Sequence, residues 1–149
     1  MGLEEDIRQE RFINEFEKAM VNILFTGSWL HNVNAGRLKP HGITPEQFNV
    51  LRILRGSAPK PLMLADISSR MIDKNSNATR LVEKLRQKGL LKREICDSNR
   101  RQVDISITEK GLAVLKKIDQ ESDEWMATLK NISKTEAAEL NRILDKLRG

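Results

Sequence analysis

Residues 76–111 read SNATRLVEKLRQKGLLKREICDSNRRQVDISITEKG, and within this stretch the hydrophobic period changes from 3.6 to 2. Ala78, Leu81, Val82 and Leu85 fall on one stripe of a helix, and Gly89 is placed to end it. Beyond it, Leu91, Arg93 and Ile95 alternate with Lys92 and Glu94. Asp97 to Arg100 is turn-like, and Val103, Ile105 and Ile107 alternate with Asp104 and Ser106. This second pattern predicts a β-hairpin with a basic tip.

Working outward, the turn at Asp73 to Asn75 leads into that helix, with Asn75 or Ser76 as its expected cap. A short helix is expected before it, from about Leu64 to Met71, with Leu64, Ile67 and Met71 facing inward. Met63 at its cap position offers no side-chain oxygen. The helix before that has a well-marked start: Thr44 as cap, Pro45 at the first position, Gln47 completing a capping box, and Ile43 with Phe48 as a hydrophobic staple. Its stripe is Phe48, Leu51 and Leu54, and residues 55–59 stop it. Residues 5–36 predict a long first helix carrying Ile13, Phe16, Met20, Ile23 or Leu24, and Leu30. After the hairpin, Thr108 caps a fifth helix with Leu112, Leu115, Ile118, Trp125 and Leu129. Ser133 and Glu136 then open a last helix bearing Ala137, Leu140, Ile143, Leu144 and Leu147. The expected fold is mostly α with a small β-hairpin wing, a winged helix-turn-helix over residues 44–108. Helices at 5–36 and 112–149 bracket it within a single domain, 1–149. Their apolar stripes exceed what so small a winged helix covers, which predicts burial across a two-fold axis in a homodimer.

The charge distribution points the same way. The chain has 149 residues and a net charge of +5. Residues 70–102 hold ten Lys or Arg and four Asp or Glu, so this one segment carries +6 and the rest of the chain −1. A run of charge is usually a solvated face; its concentration here is the pattern of a phosphate-binding footprint. The single cysteine excludes an intramolecular disulfide, and the acidic start at Glu4 to Asp6 lacks the layout of a signal peptide. No apolar run reaches membrane-spanning length, so the expectation is a cytoplasmic protein with no membrane association.

Taken together, Thr79-Arg80, Lys88-Gly89-Leu90, and Thr108 followed three residues on by Gly111 resemble a MarR-family regulator. The resemblance runs from about Pro45 to Gly111 and extends in outline over the whole chain. It implies a dimeric winged-helix protein with intertwined terminal helices that represses promoters at palindromic sites. It also implies a small aromatic effector binding between the dimerisation and DNA-binding regions. The family's wing usually carries Asp-x-Arg, whose ion pair stiffens the loop; here the matching residues are Asn99 and Arg101. Asn99 hydrogen-bonding Arg101, or Asp97 standing in, are the two substitutes the sequence offers.

Burying Ala78, Leu81, Val82 and Leu85 turns Ser76, Asn77, Arg80 and Lys84 outward. Arg reads guanine and Asn reads adenine in a major groove, so these residues, with Asn75 and Thr79, are the candidate DNA contacts of the helix. Thr79 has a second reading, a back-bond within its own helix. Asn99, Arg100 and Arg101 are the candidates at the wing, for phosphate or the minor groove. Phe25, Trp29 and Phe48 are candidates for an effector pocket, against the plainer reading of core residues. Cys96 is expected to pack, and His31 and His41 have no ligand cluster at metal spacing. No phosphate loop, nucleophile elbow or metal motif is present, so no catalytic residue, metal or cofactor is expected. The expected function is sequence-specific binding of double-stranded DNA as a transcriptional repressor of an inverted-repeat operator. The alternative is a winged-helix protein-interaction module, which would present an apolar or acidic recognition face.

Overall fold

Residues 2–149 are described by a computed structural model, with eight α-helices and one two-stranded sheet among them. In chain order these are α1 (Leu3–Ile7), α2 (Glu15–Leu38), α3 (Pro45–Ser57), α4 (Leu64–Arg70), α5 (Ala78–Gln87), β1 (Leu91–Cys96), β2 (Asn99–Ile107), α6 (Glu109–Asp119), α7 (Ser122–Met126) and α8 (Lys134–Arg148). One compact unit runs to Leu112 and a second spans Ala113–Gly149. This is the expected class, mostly helical with a hairpin wing.

In the first unit α3 starts where its capping box is written. The Thr44 hydroxyl accepts the Gln47 N–H at 3.2 Å, and Gln47 Oε1 accepts the Thr44 N–H at 3.2 Å. Gln47 is buried, yet its carbonyl oxygen also accepts from Lys88 Nζ at 3.0 Å, so its polarity is satisfied. Val50, Leu51 and Leu54 of α3, Ile67 of α4, Val82 and Leu85 of α5, and Leu91 and Ile105 of the sheet are all buried and form the core. The hairpin is antiparallel, pairing Leu91 with Ile107 through Ile95 with Val103, then Cys96 with Asn99 across a bulge. Leu62 exchanges both backbone hydrogen bonds with Ile105, at 2.9 and 2.8 Å, and adds a third short strand position.

The tightest contact lies where helix passes into wing. Gly89 adopts the left-handed conformation, φ +73°, that ends α5. The Thr108 hydroxyl donates to the Gly89 carbonyl at 2.7 Å and accepts the Gly111 N–H at 3.1 Å, while its backbone N–H bonds Leu90 O at 3.1 Å. A Cβ on Gly111 would stand 2.2 Å from Leu90 O and 2.7 Å from Ile107 Cγ1, so no side chain fits there. The spacing of Thr108 and Gly111 is therefore a packing requirement of this junction.

Five sequence expectations are corrected. The first helix is not continuous over 5–36: α1 ends at Arg8, in the left-handed region, and α2 restarts at Asn14. Asn14 Oδ1 accepts the Glu17 N–H at 2.9 Å, and Glu17 Oε2 accepts the Ile13 N–H at 2.6 Å, a reciprocal cap inside the apolar stripe. The cap of α5 is Asn77, not Asn75 or Ser76: its Oδ1 accepts the Arg80 N–H at 3.1 Å. Leu64, expected inward, is exposed, because it is the first residue of α4 and precedes the buried turn. Val103, expected on the buried face, is also exposed, since the hairpin extends past the core beyond Ile105. The fifth helix stops at Asp119 and resumes as α7; the turn at 120–121 contains neither Gly nor Pro to mark it.

Several expected stripe residues remain open to solvent in the single chain. On α2 and the segment before it, Ile13, Phe16, Met20, Ile23 and Leu24 are exposed, Phe16 at 80% and Leu24 at 74%. In the second unit α8 has the expected Ser133–Glu136 capping box and exposes Leu140, Ile143 and Leu147. Among the described residues, no helix is long and apolar enough to cross a membrane.

Two measurements check the local arguments. Gly111→Ala should destabilise by about 3 kcal/mol through overpacking against backbone, lowering Tm by roughly 6–12 °C in a chain of this size. An unchanged Tm would show that the junction relaxes freely. At Asn77, replacement by Ala removes the capping oxygen and should cost about 1 kcal/mol. Asn77→Asp keeps the acceptor and adds a charge favoured at a helix N-terminus, so its Tm should match wild type. Equal melting of wild type and the alanine variant would show that the cap carries no stability.

Candidate nucleic-acid interface

The outward face of α5 and the tip of the hairpin together form the candidate site. Val82 and Leu85 anchor the helix in the core and Ala78 is buried at its first turn, which leaves Asn77, Thr79, Arg80 and Lys84 exposed. Leu81, expected in the buried stripe, is only half-buried. It lines a crevice of about 330 Å³ with Thr44, Asp73, Ser76, Arg80 and Lys84. Ser76 does not project freely: its hydroxyl is buried, with no hydrogen-bond partner among the described residues. Asn75 is exposed in the turn, where its N–H bonds Asp73 Oδ1 at 2.9 Å. Asn77 has a double engagement, since one lone pair of its carbonyl oxygen already caps the helix while its amide N–H groups stay outward.

At the hairpin, the turn is only Asp97–Ser98, so Asn99 and Arg100 begin β2. Asn99 Oδ1 accepts the backbone N–H of Arg101 at 3.1 Å. The Asn99 bond is thus to the backbone and leaves the Arg101 guanidinium outside it. Among the described residues, Arg80, Lys84, Arg100 and Arg101 enter no ion pair.

Other cations of the basic segment are engaged within the protein. Lys88 Nζ donates to Gly42 O at 2.6 Å as well as to Gln47, which ties the end of α5 to the start of α3. Glu83 accepts both Nε and Nη2 of Arg86 and lies 3.1 Å from Arg93 Nη2. The Arg86 hydrogen bonds, with the fields of Arg86 and Arg93, outweigh desolvation and hold the Glu83 carboxyl below its ordinary value. A second cleft of about 350 Å³ lies under the wing, with Leu64, Thr79, Val82, Arg93, Arg101 and Val103 among its walls.

The remaining candidates fall elsewhere. Phe48 is buried, its ring flanked by the guanidinium groups of Arg37 and Arg52 at 5.4 and 5.6 Å. Phe25 is half-buried and Trp29 exposed, one turn apart on α2, and none of the clefts above is lined by these three residues. His31 is exposed and its Nε2 lies 2.8 Å from Glu46 Oε1, joining α2 to the first turn of α3. Cys96 is half-buried beside the turn, with Sγ 3.1 Å from Ser98 Oγ. The described residues contain no group of three His, Cys, Asp or Glu side chains placed to hold a metal ion. Sequence reasoning did not find the Glu83–Arg93 pair, because its partners come from different elements.

Known proteins share this geometry. The sequence model of the MarR family matches residues 43–103, the segment from α3 through most of the wing. The HTH-type transcriptional regulator YkoM of Bacillus subtilis (strain 168) is 36% identical over 80 residues, 54% of this chain and 51% of that protein. The chain thus spans about half the length of that relative. The crystal structure of a mutant MarR from E. coli in complex with operator DNA superposes with a TM-score of 0.81 at 24% identity, covering 93% of this chain and 99% of that one. The organohalide-sensing regulator RdhR-CbdbA1625, in its 2,4-dichlorophenol-bound form, has a TM-score of 0.79 at 21% identity, covering 93% of this chain and 85% of that one. These two structures share the fold. The likeness to the MarR family thus rests on residues 43–103, under half of the chain, and the two structures add the shared fold.

Proposed function

We propose that this protein is a transcriptional regulator that binds double-stranded DNA, a binding protein rather than an enzyme. The observation that carries the reading is the set of four unpaired cations, Arg80 and Lys84 on α5 and Arg100 and Arg101 at the wing. An interaction module would present an apolar or acidic face there, and this face is polar and basic. Arg80 and Asn77 read base edges in the major groove, and Lys84, Thr79 and Asn75 hold flanking phosphates. Asn99 sets the wing backbone from which Arg100 and Arg101 reach phosphate or the minor groove. Ser76 supports the turn through its backbone N–H, which bonds Asp73 O at 3.1 Å.

The active form is a homodimer, with the exposed stripes of α2 and of α8 buried between copies. Two recognition helices then meet successive major grooves about 34–36 Å apart, which calls for an inverted repeat. The protein represses from that site and releases it when a small aromatic effector binds; Phe25, Trp29 and Phe48 are the residues offered for that pocket. The chlorophenol bound by the structural neighbour RdhR-CbdbA1625 is of the same chemical class.

Selection from random duplexes at moderate salt should return an inverted repeat with half-site centres about 10–10.5 base pairs apart. Arg80→Ala should lose roughly 1–3 kcal/mol per half-site on that sequence and much less on random DNA. A selection with no enriched sequence would favour the interaction module. Sedimentation of the intact chain should give a dimer at micromolar concentration, and a well-folded monomer would overturn the assembly and with it the two-fold operator.

A further inference from the structure

The Glu83 carboxylate is shared between the recognition helix and the inner strand of the wing. Its Oε1 accepts Arg86 Nη2 at 2.6 Å, its Oε2 accepts Arg86 Nε at 3.0 Å, and the same Oε2 lies 3.1 Å from Arg93 Nη2 on β1. We infer that Glu83 is a positioning residue that fixes the angle of the wing on α5 and so sets which cations meet DNA, a consequence that rests on the DNA-binding reading above.

The geometry leaves this link little help. At its base the hairpin is secured by the Gly89–Thr108 junction and by buried Leu91 and Ile105. Farther out, Ile95 and Val103 face each other on the same side as Arg93 and both are exposed, so apolar packing does not hold the outer half. Arg93 pairs with Ile105 in register, at the edge of the core. Among the described residues, its ion pair with Glu83 is the outermost ion pair from the hairpin to α5. The same carboxylate holds Arg86 and Arg93 in a cleft of about 420 Å³ shared with Glu94, Ile95 and Val103. Two of the ten cations of the basic segment are thereby paired within the protein, with 44% and 41% of their side chains still exposed, while Arg100 and Arg101 enter no ion pair among the described residues. Both effects favour one docked orientation over a generally adhesive surface.

The test compares wild type with Glu83→Gln, Arg93→Gln and the double variant, in the intact chain. Hydrogen exchange of the free protein is read at residues 93–105 and, as a control for folding, in α3. Binding is measured on the selected duplex and on random duplex at fixed salt. Each single variant should exchange several-fold faster in the wing with α3 unchanged, and the double should be no faster than the singles, as expected for one shared interaction. The ratio of specific to random affinity should fall several-fold in Glu83→Gln. Unchanged wing exchange would overturn the inference. So would an equal rise in affinity for both duplexes, which marks an effect of charge alone. If wild type binds no duplex, the DNA reading fails, and the exchange measurement still decides whether Glu83 holds the wing.

Discussion

Leu90 O lies 2.2 Å from where a Cβ of residue 111 would stand, and the backbone reaches this approach only because Gly111 has no side chain. Around it Thr108 uses its hydroxyl twice, donating to Gly89 O and accepting the Gly111 N–H, while its own N–H reaches Leu90 O. Three elements meet at these few atoms: the end of α5, the start of β1 and the start of α6. The orientation of α5, the departure angle of the wing and the first turn of α6 are thus set by one shared set of hydrogen bonds. Lys88 and Lys110 reinforce it from outside, Lys88 through Gly42 and Gln47 and Lys110 through the Lys88 carbonyl.

Around that junction the basic segment separates into two populations. Lys88, Arg86 and Arg93 direct their donors to carbonyl and carboxylate groups of the protein, and Lys92 pairs with Glu94 at 3.3 Å. Arg80, Lys84, Arg100 and Arg101 face outward. Position along the chain does not sort them; the register of α5 and of the hairpin does. The cap on Asn77 shows the same division of labour within one short polar group, which closes the helix with its oxygen and offers donors beyond it.

How much of this was legible in the sequence depends on whether the cause was local. The capping boxes at Thr44 and Ser133, the stop at Gly89 and the period-2 hairpin are written in neighbouring residues, and each appears where expected. The cap at Asn14 was equally local, but it lies within an apolar stripe that read as continuous helix. Choosing Asn77 over Asn75 or Ser76 required knowing which turn the core would accept, since Ala78 is the first buried position of α5. The Glu83–Arg93 pair, the Lys88 contacts and the exposure of Val103 depend on how elements meet, and no spacing along the chain encodes them. The wing's Asn99 shows the middle case: the substitution for Asp and a hydrogen bond to Arg101 were readable, while its landing on the backbone N–H was not.

The four outward cations also carry a thermodynamic consequence. A duplex in solution is sheathed in condensed monovalent ions, and each phosphate that a protein neutralises returns some of them to bulk. The driving force is then the mixing entropy of those ions, which vanishes as the solution becomes saltier. In the proposed dimer, Lys84, Arg100 and Arg101 of two copies would give six phosphate contacts, which correspond to a slope of about −5 in log K against log salt. Arg86 and Arg93 are already paired with Glu83, so on this proposal occupancy of the DNA would follow ionic strength less steeply than the formal charge of residues 70–102 suggests.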